Sequence, residues 1–124
     1  MKKILLLDDN PDILQVVEAV LAYENYEVKA TSTSANFIQM AEQFCPDLVI
    51  LDFRLGDGNG GEICRALKAH PTLSPVPVIL FTAYVQPGLN LFEFGCDEVI
   101  DKPFDLNQLL DIVRQLTTTT LLQG

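Results

Sequence analysis

The chain has 124 residues, 48% of them apolar and 20% charged, which suits one globular domain with a core of its own and leaves no room for a second. Lys plus Arg number 8 against 17 Asp plus Glu, a net charge of −9 at pH 7; that sign repels phosphate backbones and anionic lipid, disfavouring nucleic-acid and membrane-surface partners and suiting a cation or a basic protein. No apolar run approaches the ~20 residues that span a bilayer, and no small-residue cleavage site follows the N-terminus, so a cytoplasmic location is expected.

Apolar runs of strand length recur between helix-like segments. Ile4 to Leu7 is the first, and Asn10-Pro11 then supplies an N-cap and first helical residue for a helix with Ile13, Val16, Val17, Val20 and Leu21 on one face. At about 100° per residue, Ile13, Val16, Val17 and Val20 share one arc while Leu14 lies ~60° beyond Val17, so Leu14 is expected part-exposed at the margin. Glu27 to Ala30 alternates, as an edge strand does. A second helix is predicted from about Ser34 to Phe44, ending before Pro46, followed by the continuous run Leu48 to Leu51 and a helix over Glu62 to Ala69. After Val78 to Phe81, Pro87-Gly88 breaks the chain and confines a fourth helix to about Leu89 to Phe94. A weaker strand at Val99 to Ile100 and a fifth helix from Asp105 or Leu106 complete the series.

Runs without alternation belong to strands covered on both faces, so five strand–helix pairs predict an α/β fold with a parallel sheet between helix layers. Cys45, Cys64 and Cys96 are odd in number and spaced for neither a disulfide framework nor zinc; they read as reduced packing residues. Thr117 to Thr120 favours fraying, so the domain is expected over 1–118 with 119–124 as a frayed tail or linker stub.

The polar residues closing the apolar runs carry the chemistry. Asp8-Asp9 follows the first strand, Asp52 closes the third, Thr82 the fourth, and Lys102 follows the fifth. In an open parallel sheet these C-terminal ends share one edge, and ligands bind there where the strand order reverses. Each residue alone has a plain structural explanation, such as a carboxylate favouring a helix N-terminus. Jointly they predict one crevice in which three carboxylates gather around a hard cation, with magnesium favoured, and a lysine and a hydroxyl face an oxyanion.

Leu7-Asp8-Asp9-Asn10, Pro46 to Asp52, Phe81-Thr82-Ala83 and Asp101-Lys102-Pro103-Phe104 together resemble the CheY-like receiver domains of two-component response regulators, over residues 3 to about 116. The resemblance implies a flavodoxin-like, doubly wound five-stranded sheet of order 2-1-3-4-5 with five helices, the fourth short. It implies that Asp52 accepts a phosphoryl group from a phosphohistidine on a sensor histidine kinase or histidine phosphotransfer protein. Asp9, Asp52 and the backbone carbonyl of Arg54 would hold Mg2+, with Asp8 acting through water; Thr82 and the amide of Ala83 would receive phosphoryl oxygens, and Lys102 would bridge to the phosphoryl group. The Lys102-Pro103 bond is expected cis. Such a protein changes partner affinity and is not a turnover enzyme.

The chain departs from the family pattern at Gly56, usually proline, at Asn59, usually aspartate, and at Val99, where the family places an aromatic switch residue. With no ring at Val99, Tyr84 on the loop after Thr82 becomes the candidate reporter of phosphorylation, with Arg54 able to reach the same rim. Leu14, Pro103 and Phe104 are the candidate docking residues for the phosphodonor. The competing reading is a pseudo-receiver interaction module independent of phosphorylation. A hydrolase with Asp52 as covalent nucleophile is disfavoured because Arg54 stands where haloacid-dehalogenase phosphatases place a second aspartate.

Overall fold

The computed structural model describes residues 1–56, 58–83 and 88–122, with side chains to residue 118. Five strands form one parallel sheet: β1 (Lys3–Leu7), β2 (Glu27–Thr31), β3 (Leu48–Asp52), β6 (Val78–Thr82) and β7 (Glu98–Asp101). Their order is β2-β1-β3-β6-β7, which is 2-1-3-4-5 when only these five are counted. A short antiparallel ribbon, β4 (Arg54–Leu55) with β5 (Gly58–Asn59), follows β3 and was not foreseen in the sequence. The helices are α1 (Pro11–Tyr23), α2 (Phe37–Phe44), α3 (Gly60–Ala69) and α4 (Leu106–Leu122).

The continuous apolar runs are explained by two cores, one on each sheet face. On one side Leu5, Leu7, Val49, Leu51, Val78 and Leu80 pack against Phe37, Ala41, Cys64 and Leu67 of α2 and α3. On the other, Ile4, Leu6, Leu48, Ile50, Ile79 and Phe81 meet Val17 and Leu21 of α1 and Leu109 and Val113 of α4. Each such buried side chain contributes roughly 1.5–3 kcal/mol. Cys64 and Cys96 are part of this packing, and burial pushes their thiols up to about 12 and about 11, which keeps them protonated and unreactive.

Several boundaries correct the sequence reading. The short fourth helix expected over about Leu89 to Phe94 is a single 3-10 turn, Leu91–Phe94, capped by the Asn90 side chain on the Phe92 N–H and ended at Gly95 with φ +96, so the fifth predicted helix is α4. The α2 helix starts at Phe37 rather than Ser34, because Asn36 takes the left-handed conformation. The start of α3 is at Gly60 rather than Glu62, because Asn59 Oδ1 accepts the N–H groups of Gly61 and Glu62 at 2.7 and 3.3 Å. On α1 the buried arc centres on Val17 and Leu21 and turns toward a half-buried Leu14, leaving Val16 48% exposed. The threonine stretch continues α4 rather than fraying at its start: Thr117 is buried and its hydroxyl donates to the Val113 carbonyl at 2.8 Å.

Candidate functional site

Strand register brings the polar ends together. Leu7 is level with Leu51, Asp52 with Phe81, and Thr82 with Asp101, so the residues just past each run lie along one sheet edge. The order reverses beside β1, between β2 and β3, which puts Asp8 and Asp9 at the switch point.

Asp8 is fully buried. Its Oδ1 accepts the Asn10 N–H at 2.9 Å and its Oδ2 accepts Lys102 Nζ at 2.8 Å. The same ammonium stands 3.4 Å from Asp52 Oδ1, so one lysine is shared by two carboxylates. Asp9 is exposed, and its Oδ2 accepts the N–H of Gly56 at 2.8 Å. Asp8, Asp9 and Asp52 each offer an oxygen within 4.8 Å of the others. At that spacing each ionised pair costs about 3 kcal/mol for an effective dielectric of ~20. Burial, then the neighbouring Asp8 charge, push the Asp52 carboxyl up to about 6 against the opposing pull of Lys102. Three carboxylates facing one ammonium leave the cluster two negative charges in excess when all are ionised. A hard divalent cation fits both that charge and the all-oxygen donor set.

Three further predicted residues stand at this edge. Thr82 ends β6 and is buried, Ala83 beside it is exposed, and the Lys102 N–H donates to the Thr82 carbonyl at 2.7 Å. Arg54, exposed, opens the ribbon directly after Phe53. The Lys102-Pro103 peptide bond is cis. Val99 is level with Leu80 and lines a shallow cleft with Leu89, Leu91 and Phe92. Pro103 and Phe104 line a groove of about 300 Å³ with Asp12, Ile13, Val16 and Val17. Leu14 is not among the residues of that groove; it packs toward the core, and Val16 occupies the exposed position beside the crevice. Tyr84, the expected reporter, lies outside the described residues.

One site residue escaped the sequence reading. A Cβ at Gly60 would fall 2.1 Å from the Asp52 carbonyl oxygen, so only glycine lets the N-terminus of α3 press on the backbone of that aspartate. The Gly60 N–H also donates to the Phe53 carbonyl at 2.9 Å. The Gly60-Gly61 pair opening a helix was the available sign.

A family model, the response regulator receiver domain, matches residues 4–114. The chain belongs to the response regulator receiver domain family. It is therefore a receiver domain of the two-component systems. Over 122 residues it is 32% identical to the DNA-binding dual master transcriptional regulator RpaA of Synechocystis, a match covering 97% of this chain and 51% of that protein. With the response regulator PleD of Caulobacter vibrioides it shares 34% identity over 117 residues, 93% of this chain and 26% of PleD. The receiver thus spans half or less of these relatives. Among solved structures, the receiver domain of the sensor histidine kinase PA1611 of Pseudomonas aeruginosa, with magnesium in its active-site cleft, has a TM-score of 0.85 at 29% identity. That match covers 94% of this chain and 97% of that one. The signal receiver domain of a histidine kinase from Syntrophus aciditrophicus has a TM-score of 0.89 at 27% identity, covering 96% and 92%. No helix among the described residues is long and apolar enough to cross a membrane.

Proposed function

We propose that this receiver takes a phosphoryl group from a phosphohistidine of a sensor histidine kinase or histidine phosphotransfer protein onto Asp52, and signals by changing its affinity for a protein partner. The observation carrying the reading is the cluster of Asp8, Asp9 and Asp52 oxygens within 4.8 Å of one another around the single ammonium of Lys102. Asp9, Asp52 and the Arg54 carbonyl would hold Mg2+, with Asp8 behind them, because both Asp8 oxygens are already engaged by Lys102 and the Asn10 N–H. When bound, Mg2+ supplies neutralisation of the carboxylates and of the phosphoryl oxygens.

The steps of this chain's own residues follow. An ionised Asp52 oxygen attacks phosphorus in line with the P–N bond, which breaks as the imidazole keeps the electron pair, and an acyl phosphate forms. At pH 7 a carboxyl with a pKa of about 6 is mostly ionised and remains a competent nucleophile. Lys102 Nζ, 3.4 Å from Asp52 Oδ1, pairs with a phosphoryl oxygen; the Thr82 hydroxyl and the Ala83 amide receive the others. The donor protein docks over Val16, Pro103 and Phe104, which line one groove. Val99 has no ring to follow Thr82 inward, so readout falls to the loop after Ala83, where Tyr84 stands in the sequence. Receipt of phosphate from such donors implies a cytoplasmic location, and no turnover of an external substrate.

The test is phosphorylation by a small phosphodonor with Mg2+, read by mass. A single phosphoryl adduct that is lost in Asp52→Asn supports the proposal. No adduct in the parent protein would return the chain to the reading of an interaction module.

A further inference from the structure

Asp8 and Asp52 share the Lys102 ammonium, with the Asn10 N–H also on Asp8, whereas Asp9 is met by the backbone N–H of Gly56. The last contact is long-range, joining residues 47 apart, and it involves the one exposed member of the three. Gly56 sits at the turn of the 54–59 ribbon, between Leu55 of β4 and Gly58 of β5. The amide therefore ties the loop after β3 to the loop after β1 across the mouth of the crevice.

We propose that the Gly56 N–H is a positioning group for cation binding, holding the Asp9 carboxylate and the Arg54–Gly56 segment in their binding arrangement before the cation arrives. This rests on the reading of the cluster as a Mg2+ site. The 2.8 Å bond occupies one lone pair of Oδ2 and leaves the rest of the carboxylate for a metal. It restrains an exposed side chain that otherwise samples several rotamers, so less order is lost when the cation binds. Because Arg54 is two residues away, one hydrogen bond restrains both a side-chain ligand and the segment bearing a carbonyl ligand. Hydrogen bonds to metal-binding carboxylates of this kind typically change metal affinity by ~10–100-fold when removed.

Backbone chemistry allows a clean comparison. Gly56→Pro deletes the N–H, whereas Gly56→Ala keeps it. The alanine fits, since its Cβ would stand 3.4 Å from Asp9 Oδ2, an ordinary contact, and the backbone there is not left-handed. Mg2+ alone is titrated by calorimetry into the parent protein and both variants, with melting in chelator as the check on folding. A parent that takes up no Mg2+ overturns the reading of the site and the inference with it. Where the parent binds, the expected result is about tenfold weaker Mg2+ binding in Gly56→Pro and restoration to within about twofold of the parent in Gly56→Ala. Equal weakening in both variants, or in neither, overturns the inference alone. If Gly56→Pro fails to fold, hydrogen exchange of the Gly56 amide in the metal-free parent decides. Protection that disappears in Asp9→Ala supports the tie; free exchange in the parent, or protection unchanged in Asp9→Ala, overturns it.

Discussion

Replacing Asp52 should make the metal-free protein more stable, by an amount that depends on pH in a defined way. The folded protein raises the Asp52 carboxyl from its ordinary 3.8 to about 6, first by burial and then through Asp8, so folding favours the protonated form. Well below its ordinary 3.8 the group is neutral in both states and costs nothing. As pH rises through the unfolded value toward 6, the unfolded chain releases its proton first and native stability falls, levelling off above the folded value. A gap of about two pKa units corresponds to about 3 kcal/mol at neutral pH. The attraction of Lys102 is already inside that net figure, because it opposes the rise. Asn keeps the shape of the side chain and cannot ionise. Asp52→Asn should therefore melt about 10 °C above the parent at pH 7 in chelator, for a domain of this size, and the advantage should shrink to about 0.5 kcal/mol near pH 4. Adding Mg2+ should narrow the difference, since a cation at a hundredfold over its Kd stabilises the parent by about 2.7 kcal/mol. Paired thermal melts from pH 4 to 7.5 test this. A difference that is flat across pH, or a variant less stable than the parent at pH 7, would refute the account of a strained carboxylate.

Three other perturbations probe separate parts of the structure. Lys102→Ala removes the ammonium from the fully buried Asp8 carboxylate and leaves it the Asn10 N–H, and should cost about 3 kcal/mol in denaturant melts even though the chain is already acidic; a cost below about 1 kcal/mol would show that the pair is solvated. Gly60→Ala places a Cβ against the Asp52 carbonyl and should destabilise by at least about 2 kcal/mol and slow phosphorylation by a small phosphodonor, whereas unchanged melting would show that α3 retreats without cost. Val16→Arg, at an exposed position on the groove with Pro103 and Phe104, should slow transfer from a protein phosphodonor while leaving melting and uptake from a small phosphodonor as in the parent; equal slowing with both donors would argue for a fold defect.

Most of the fold was legible because a strand covered on both faces has to be apolar along its length, and β1, β3 and β6 each hold four consecutive apolar residues with a single polar one at an end. Their ends were legible too, since the first polar residue past an apolar run marks the sheet edge: Asp8, Asp52 and Thr82 follow that rule directly, and Lys102 stands one residue further on, after Asp101. The misread boundaries depend on backbone choices with weak one-residue signals. Asn36 adopting a left-handed turn, Asn59 capping α3 two residues early, and Asn90 with Gly95 closing a single 3-10 turn are local events that periodicity does not resolve. Val16 was misplaced for a different reason. Helix arithmetic orders side chains around an axis but does not say where the sheet lies: the buried positions are Val17 and Leu21, Leu14 is half-buried at the margin as expected, and Val16 falls outside the arc.

Which residues form the site and which residues pair within it are separate questions, and only the first was answered by position. Lys102 was expected to face the phosphoryl group, yet its shorter contact is to Asp8 at 2.8 Å, with Asp52 at 3.4 Å. Physically this preference follows from burial. Asp8 is fully buried and needs a counter-charge before any ligand arrives, whereas Asp52 retains some exposure and relieves its own strain by holding a proton more tightly. The pairing joins residues 94 apart in sequence, and the Asp9–Gly56 tie joins residues 47 apart through a backbone group that has no side-chain signature. Under the proposed function, phosphorylation of Asp52 would add negative charge within reach of the same ammonium, so Lys102 would divide its charge between Asp8 and the new oxygens. The buried aspartate would then lose part of its lysine partner, and the charge of a bound divalent cation would be the means by which the cluster stays folded while the phosphoryl group is held.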